Sequence, residues 1–295
     1  MRIAVIGDVV GTPGRLALQQ HMPTLRDRGA ELVVVNVENA ANGSGLTPDL
    51  YKKFQALGVD GMTLGDHAFR KAQIVPTLKS AHDLIRPANL PDRAVGPGWM
   101  RLTLRGIGGD PEPEAGGKPV YVITVLGRLF MSGPLADDPY ACVETFLDDL
   151  HRRGEERAIV LVEIHAEASS EKVAMGWRCN GRVAAVLGSH THIPTADARI
   201  LPADVPGGGG ALGGAGTAYI TDLGMTGPYD SVLGRRVDRV LTFMTTAMPA
   251  PFDVAEANPR VCGVLLDIDE RRGLATAVEP LDLPADVTQP PFSRA

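Results

Sequence analysis

Val183-Ala184-Ala185-Val186-Leu187-Gly188-Ser189-His190-Thr191-His192-Ile193-Pro194 is the stretch whose reading decides the fold. The apolar run to Leu187 predicts a buried strand, and Gly188-Ser189 the point where it breaks into a loop. Two imidazoles one residue apart then stand at a strand end, where neutral ring nitrogens can point at one cation or at two neighbouring ones. A His-x-His alone is a weak signal, because a short motif means little without its structural context. The reading turns on whether other strands end in the same way.

They do. Ala158 to Ile164 predicts a buried strand ending in His165. Ile3 to Ile6 runs into Gly7-Asp8, Leu32 to Val37 into Glu38-Asn39, and Val59 to Leu64 into Gly65-Asp66-His67. Between them lie helices: one opening at Thr12-Pro13 and closing near Gly29, another opening at Thr47-Pro48 and closing at Gly58. Thr can cap free N–H groups, and Pro is tolerated at the first helical position. Strand–helix units of about 30 residues predict βαβ crossovers and a sheet buried on both faces. Tyr140 to Arg152 and Ser170 to Trp177 predict two more helices, the second packing Ala174 and Met175 inward.

Strand pairs are expected from Met100 to Leu104 with Val120 to Val125, and from Ala196 to Leu201 with Thr217 to Thr221. Flexible loops are expected between them, near 106–119 and 206–216, on their density of Gly and Pro. Residues 224–234 read as loop, and Val261 to Ile268 with Leu274 to Val278 as a hairpin. The predicted fold class is α/β, a layered β-sandwich flanked by helices, in a single domain spanning 1–295.

The 295 residues carry a net charge of −6 with no long run of either sign, which argues against duplex DNA or an anionic membrane as partner. Cys142, Cys179 and Cys262 are sparse and far apart, fitting a reducing compartment and small buried side chains. The N-terminus enters a strand at once, and no stretch approaches the roughly 18 apolar residues of a membrane span. A cytoplasmic location is expected.

In open α/β sheets, groups at the carboxyl ends of strands converge although far apart in sequence. Here those groups are Asp8, Glu38, Asn39, Asp66, His67, His165, His190 and His192. The other imidazoles, His21, His82 and His151, fall on helices or loops and read as solvated. Without a thiolate cluster, mixed carboxylate, carboxamide and imidazole donors suit Mn, Fe, Zn or Co. So many donors suit two ions about 3.5–4 Å apart, a clamp of the kind phosphate ester hydrolysis needs.

The chain resembles the YmdB-type branch of the calcineurin-like metallophosphoesterases over nearly its whole length. The resemblance rests on Gly7-Asp8-Val9-Val10-Gly11, Glu38-Asn39-Ala40-Ala41, Gly65-Asp66-His67, Arg86-Pro87-Ala88-Asn89 and His165-Ala166-Glu167-Ala168. It continues through Ser170-Glu171-Lys172, Gly188 to His192, and Thr221 to Asp230. It implies a phosphodiesterase acting on phosphate esters, 2′,3′-cyclic nucleotides among them, by attack of a metal-bridging hydroxide. By the same resemblance Asp8, Asn39 and His192 hold one ion, Asp66, His165 and His190 hold the other, and Glu38 bridges them. His67 is then the catalytic residue that protonates the leaving oxygen or stabilises its charge. Iron or manganese is the expected metal, with zinc open. Two positions depart from the wider pattern: Val10 stands where the superfamily has His, a loss the branch shares, and Asp66 stands where Asn is usual. A third carboxylate lowers the positive charge of the centre, which predicts tighter metal retention and a less acidic bridging water.

Three rivals stay open at this stage: a phosphomonoesterase on small phosphate esters, a metal- and nucleotide-binding regulatory protein with little turnover, and a mononuclear zinc hydrolase. The expected partner is a small phosphate-ester or cyclic-nucleotide substrate, and a homo-oligomer is compatible with the chain. Adjacent charges at Glu171-Lys172 read most simply as a solvated helix face, and the 224–234 loop as a wall of the cleft or a subunit contact.

Overall fold

The computed structural model describes residues 1–103, 118–202, 205 and 216–286. One sheet contains β1 (Arg2–Ile6), β2 (Leu32–Asn36), β3 (Gly61–Thr63) and β4 (Leu84–Ile85), all parallel. On the other side of β1 it continues antiparallel with β12 (Pro259–Asp269), which also pairs with β11 (Gly227–Pro228) and β13 (Leu274–Pro284). The second sheet runs in the order β5 (Trp99–Leu102), β6 (Val120–Leu126), β7 (Ile159–His165), β8 (Ala185–Ser189), β10 (Ala218–Ile220), β9 (Arg199–Ile200). β6, β7, β8 and β10 are parallel, and the two edge strands antiparallel.

The alternation of side chains across each strand makes the layers. In β1, Ile3 and Val5 face the second sheet and pack with Val120, Val122 and Leu161. Ala4 and Ile6 face the opposite way, onto Leu18 of α1 (Gly11–Asp27) and Phe54 of α2 (Pro48–Ala56). The outer face of the second sheet offers Tyr121, Ile123 and Val162 to Val143 and Phe146 of α4 (Pro139–Arg152) and Met175 of α5 (Ser169–Cys179). Strands buried on both faces have to be apolar on both faces, which is why their runs are continuous in the sequence. Two sheets packed face to face between two helical layers are the expected layered arrangement. Among the described residues, no helix is long and apolar enough to cross a membrane.

Several expectations need correction. Thr12 does not cap α1; Val10 holds that position without a side-chain bond, and the Thr12 hydroxyl accepts from Arg15 instead. Thr47 does cap α2, taking the Leu50 N–H. Gly188 and Ser189 complete β8 rather than ending it, so the chain turns one residue later, at His190. Ala174 is exposed, while Met175 is buried as predicted. The turn at Ala72–Ile74, α3 (Val75–Ser80), β4 and α6 (Val237–Thr246) had no predicted counterpart. The 224–234 loop contributes the short strand β11. Of the flexible loops expected near 106–119 and 206–216, residues 106–117 and 206–215 lie outside the described residues.

Candidate metal centre

Both sheets direct their strand ends to one place. Asp8 follows β1, Glu38 and Asn39 follow β2, and Asp66 and His67 follow β3; His165 ends β7, and His190 and His192 follow β8. All eight predicted residues are brought together.

They fall into two groups. Glu38, Asp66, His165 and His190 each offer one ligand atom, all within 4.8 Å of one another. In this group His165 Nε2 lies 3.0 Å from Asp66 Oδ1 and 3.4 Å from Glu38 Oε1, and His190 Nδ1 lies 3.4 Å from Asp66 Oδ1. The second group surrounds Asp8: His192 Nε2 is 3.9 Å from Asp8 Oδ1 and 3.3 Å from Asn39 Nδ2, which in turn donates to Glu38 Oε1 at 3.1 Å. Glu38 therefore borders both groups, and the rings of His190 and His192 serve different ones.

The backbone that divides them is unusual. His190 and His192 both have left-handed backbone, φ 89° and 63°. Such a conformation costs a non-glycine residue about 1–3 kcal/mol and persists only where the surroundings over-determine it. Gly65 contributes by having no side chain, since a Cβ there would collide with the Glu38 carboxylate and the His165 ring.

Behind His165 runs a relay that sequence reasoning missed. His165 Nδ1 lies 2.9 Å from Ser189 Oγ, and Ser189 donates to Glu163 Oε1 at 2.7 Å. Asn36 and Thr124 also donate to Glu163, at 2.6 and 3.2 Å, and the Asn36 side chain accepts the Glu38 N–H at 3.1 Å. Because the single Ser189 proton is spent on Glu163, its oxygen accepts Nδ1–H of His165, and the ring presents Nε2 to the carboxylates. The available signal was Glu163 itself, a lone carboxylate in an apolar strand, which needs partners when buried.

Charge is tightly compensated. Burial penalises the Glu38 carboxylate, yet the neighbouring His165 outweighs it and holds Glu38 below the usual range. Asp66 is likewise penalised by burial but held low by hydrogen bonds from His165 and His190. Burial opposes charge on His165 too, but Glu38, Asp66 and Asp8 raise its pKa well above the ordinary value. Asp8 goes the other way: burial lifts it to about 7, against the pull of His165. Asp8 Oδ1 is buried and has no hydrogen-bond partner among the described residues. An orphaned carboxylate oxygen facing an imidazole and a carboxamide is the donor set a cation would complete.

His67 stands at the rim, its side chain 23 % exposed. Its backbone N–H donates to Glu38 Oε2 at 3.1 Å, its Nδ1 lies 2.7 Å from Asn39 Oδ1, and its Nε2 lies 3.6 Å from Asp66 Oδ2. Burial lowers its pKa despite the flanking carboxylates, so the neutral ring is favoured. Outward from His67 and His192 opens a cleft of about 380 Å³ whose far side is apolar: Val232, Leu233, Val240, Met244 and Phe252. Arg235 braces that side by donating to the carbonyls of Asn42, Gly43 and Phe252.

The chain is similar to known proteins over most of its length. The family model for YmdB-like proteins matches residues 4–281. A 2′,3′-cyclic-nucleotide 2′-phosphodiesterase of Bacillus subtilis (strain 168) is 38% identical over 280 residues, 95% of this chain and 96% of that protein. The crystal structure of a hypothetical protein from Thermus thermophilus superposes with a TM-score of 0.81 at 37% identity, covering 97% of this chain and 100% of the other. That of a novel phosphatase from Mycoplasma pneumoniae gives a TM-score of 0.81 at 25% identity, covering 96% and 93%.

Proposed function

Because this chain belongs to the YmdB-like protein family, we propose that it is a metal-dependent phosphodiesterase of the calcineurin-like kind, hydrolysing 2′,3′-cyclic nucleotides. The observation that carries the metal centre is Asp8 Oδ1, buried and without a hydrogen-bond partner among the described residues, beside the cluster of Glu38, Asp66, His165 and His190. Asp8, Asn39 and His192 would hold one ion, Asp66, His165 and His190 the other, and Glu38 would border both. Mixed oxygen and nitrogen donors suit iron or manganese and admit zinc. Two such cations, when bound, would supply a nucleophile at neutral pH and positive charge to offset the negative charge that develops on the phosphate.

The remaining work belongs to the chain. His67 borders the cleft with a ring that burial keeps neutral. A carboxamide can exchange its oxygen and nitrogen by a flip, so Asn39 can turn its oxygen toward His192 and donate N–H to Nδ1 of His67. The single proton of the neutral ring then sits on Nε2, from which it can be given to the departing ribose oxygen. Ring opening of a cyclic phosphodiester releases one alkoxide, so one positioned proton is enough. The apolar wall of Leu233, Met244 and Phe252 favours a substrate that carries a base over a bare phosphate monoester.

Candidate ligands drawn from both sheets support a single domain over residues 1–295. Three cysteines in no disulfide support a cytoplasmic location. The test is Mn²⁺-loaded protein assayed with 2′,3′-cyclic nucleotides, glycerol 1,2-cyclic phosphate and nucleoside monophosphates. Expected is turnover of the cyclic diesters, with Met244→Ala raising KM about tenfold for the nucleotide alone. Preferential hydrolysis of the monophosphates would overturn the assignment in favour of a phosphomonoesterase.

A further inference from the structure

Glu171 and Lys172, adjacent in the first turn of α5, are both buried rather than solvated, Lys172 to 1 % exposure. Each reaches a different loop of the site. The Glu171 carboxylate accepts the N–H groups of Arg128 and Leu129, at the start of the loop whose Gly133 lies against Asp66. Lys172 Nζ donates to Asp222 Oδ2 at 2.8 Å and to Thr191 Oγ1 at 2.9 Å. Asp222, fully buried, takes both the N–H of Thr191 at 3.2 Å and its hydroxyl at 2.6 Å on that same oxygen. Its other oxygen accepts Gly224 N–H at 2.8 Å, and Leu223 N–H donates to the Gly188 carbonyl at 2.8 Å. Gly188 leaves room for this arrangement: a Cβ there would come within 2.9 Å of Lys172 Cδ and collide with the Thr221 carbonyl.

Thr191 is the residue between the two histidines, and it hydrogen-bonds both members of this pair. With Thr191 fixed from behind, the backbone at His190 and at His192 stays left-handed, and the rings leave on divergent courses. We propose that Lys172 and Asp222 are positioning residues that set the separation of His190 and His192 through Thr191, so that each ring serves its own cation. This rests on the two-cation reading of the centre. A buried ion pair adds little to stability, because its attraction is offset by the loss of hydration. Its value here is geometric: it imposes one orientation on a three-residue loop that would otherwise relax to ordinary backbone.

Removing Lys172 or Asp222 strands the other charge in the interior and would test folding as much as positioning. Thr191→Val is the cleaner probe: it keeps shape and β-branching, deletes both hydroxyl contacts, and leaves the Lys172–Asp222 pair intact. Thr191→Ser restores the hydroxyl. The measurements are Mn²⁺ content per chain, Mn²⁺ release into excess chelator, and melting temperature with and without Mn²⁺. Expected for Thr191→Val is release at least tenfold faster and a smaller rise in melting temperature on adding Mn²⁺, with the metal-free melting temperature close to wild type. Thr191→Ser should return both quantities toward wild type. Equal losses of melting temperature with and without Mn²⁺, at unchanged release, mean a structural role only and overturn the positioning role. Unchanged behaviour throughout overturns it as well. Wild-type protein binding no Mn²⁺ would overturn the two-cation reading itself, which distinguishes the two failures.

Discussion

Ser189→Ala is the substitution with the most informative outcome at this centre. The hydroxyl is fully buried, accepts from His165 and donates to Glu163. Deleting it leaves the His165 Nδ1–H facing a methyl group in a site with no access to water. A buried donor without a partner costs about 1–3 kcal/mol. Glu163 suffers less, since Asn36 and Thr124 still donate to it. The folded protein should therefore survive, destabilised by an amount in that range. The ring, however, loses the contact that fixes which nitrogen faces Glu38 and Asp66. Outer partners of this kind are worth about 10–100-fold in metal affinity, or about 1.4–2.7 kcal/mol. Competition with a coloured chelator, on protein kept well below its melting temperature, reads affinity apart from stability. A loss of one to two decades in Mn²⁺ affinity is expected. If Ser189→Ala melts earlier but binds Mn²⁺ as wild type does, the relay only fills space and the orienting argument is refuted.

Three further outcomes follow from the charges and thiols. In the metal-free protein Asp8 and His165 both have pKa values above their unfolded ones. Their stabilising contribution is thus full below the unfolded values and fades as pH rises, through about 7 for Asp8 and higher for His165. Bound cations displace those protons, so the rise in melting temperature on adding Mn²⁺ should be larger at pH 8 than at pH 6; a smaller rise would contradict the assignment. Asp66→Asn removes one carboxylate from the centre, so chelator should strip Mn²⁺ faster and the acidic limb of the pH–rate profile should move to lower pH. Burial pushes Cys142 and Cys262 to about 11 and Cys179 to about 12. At pH 8 their thiolate fraction is roughly two to three orders of magnitude below that of a free cysteine, so Ellman's reagent should react slowly until the protein is denatured.

The strand ends were legible because a simple rule produced them: apolar runs with ligand-type residues immediately after. That rule fails for residues that act from behind. Glu171 and Lys172 carry the pattern of a wet helix face, and nothing local reveals that the first turn of α5 is inserted beneath two site loops. Their burial depends on Asp222, 50 residues away, and on loop amides that carry no sequence signature. Asn36 and Ser189 look like ordinary strand residues; only their shared partner Glu163 makes them a network. α6 was legible as well, since Val237, Val240, Leu241 and Met244 recur at helical spacing, although Val237, Leu241 and Met244 of that face stay exposed. Thr12 misleads in the opposite direction, since the helix starts at Gly11 with Val10 in the capping position, and the Thr12 hydroxyl takes a bond from Arg15 instead.

Three carboxylates at adjoining strand ends, Asp8, Glu38 and Asp66, ought to make a metal-free fold hard to reach, for like charges close together inside a protein repel strongly. The chain contains its own remedy. Proton uptake by His165 answers Glu38 and Asp66, while burial leaves Asp8 near its midpoint at neutral pH. The fold can thus form without a cation, with protons standing where the proposed ions would go. Glu38 has donors in Asn39 and the His67 N–H, and Asp66 has His165 at 3.0 Å, whereas Asp8 Oδ1 has none among the described residues. Loading is then an exchange of protons for metal in a site already shaped. On this argument the circular-dichroism spectrum of chelator-treated protein at pH 6.5 should match that of the loaded form, and a protein that needed Mn²⁺ to fold would refute it.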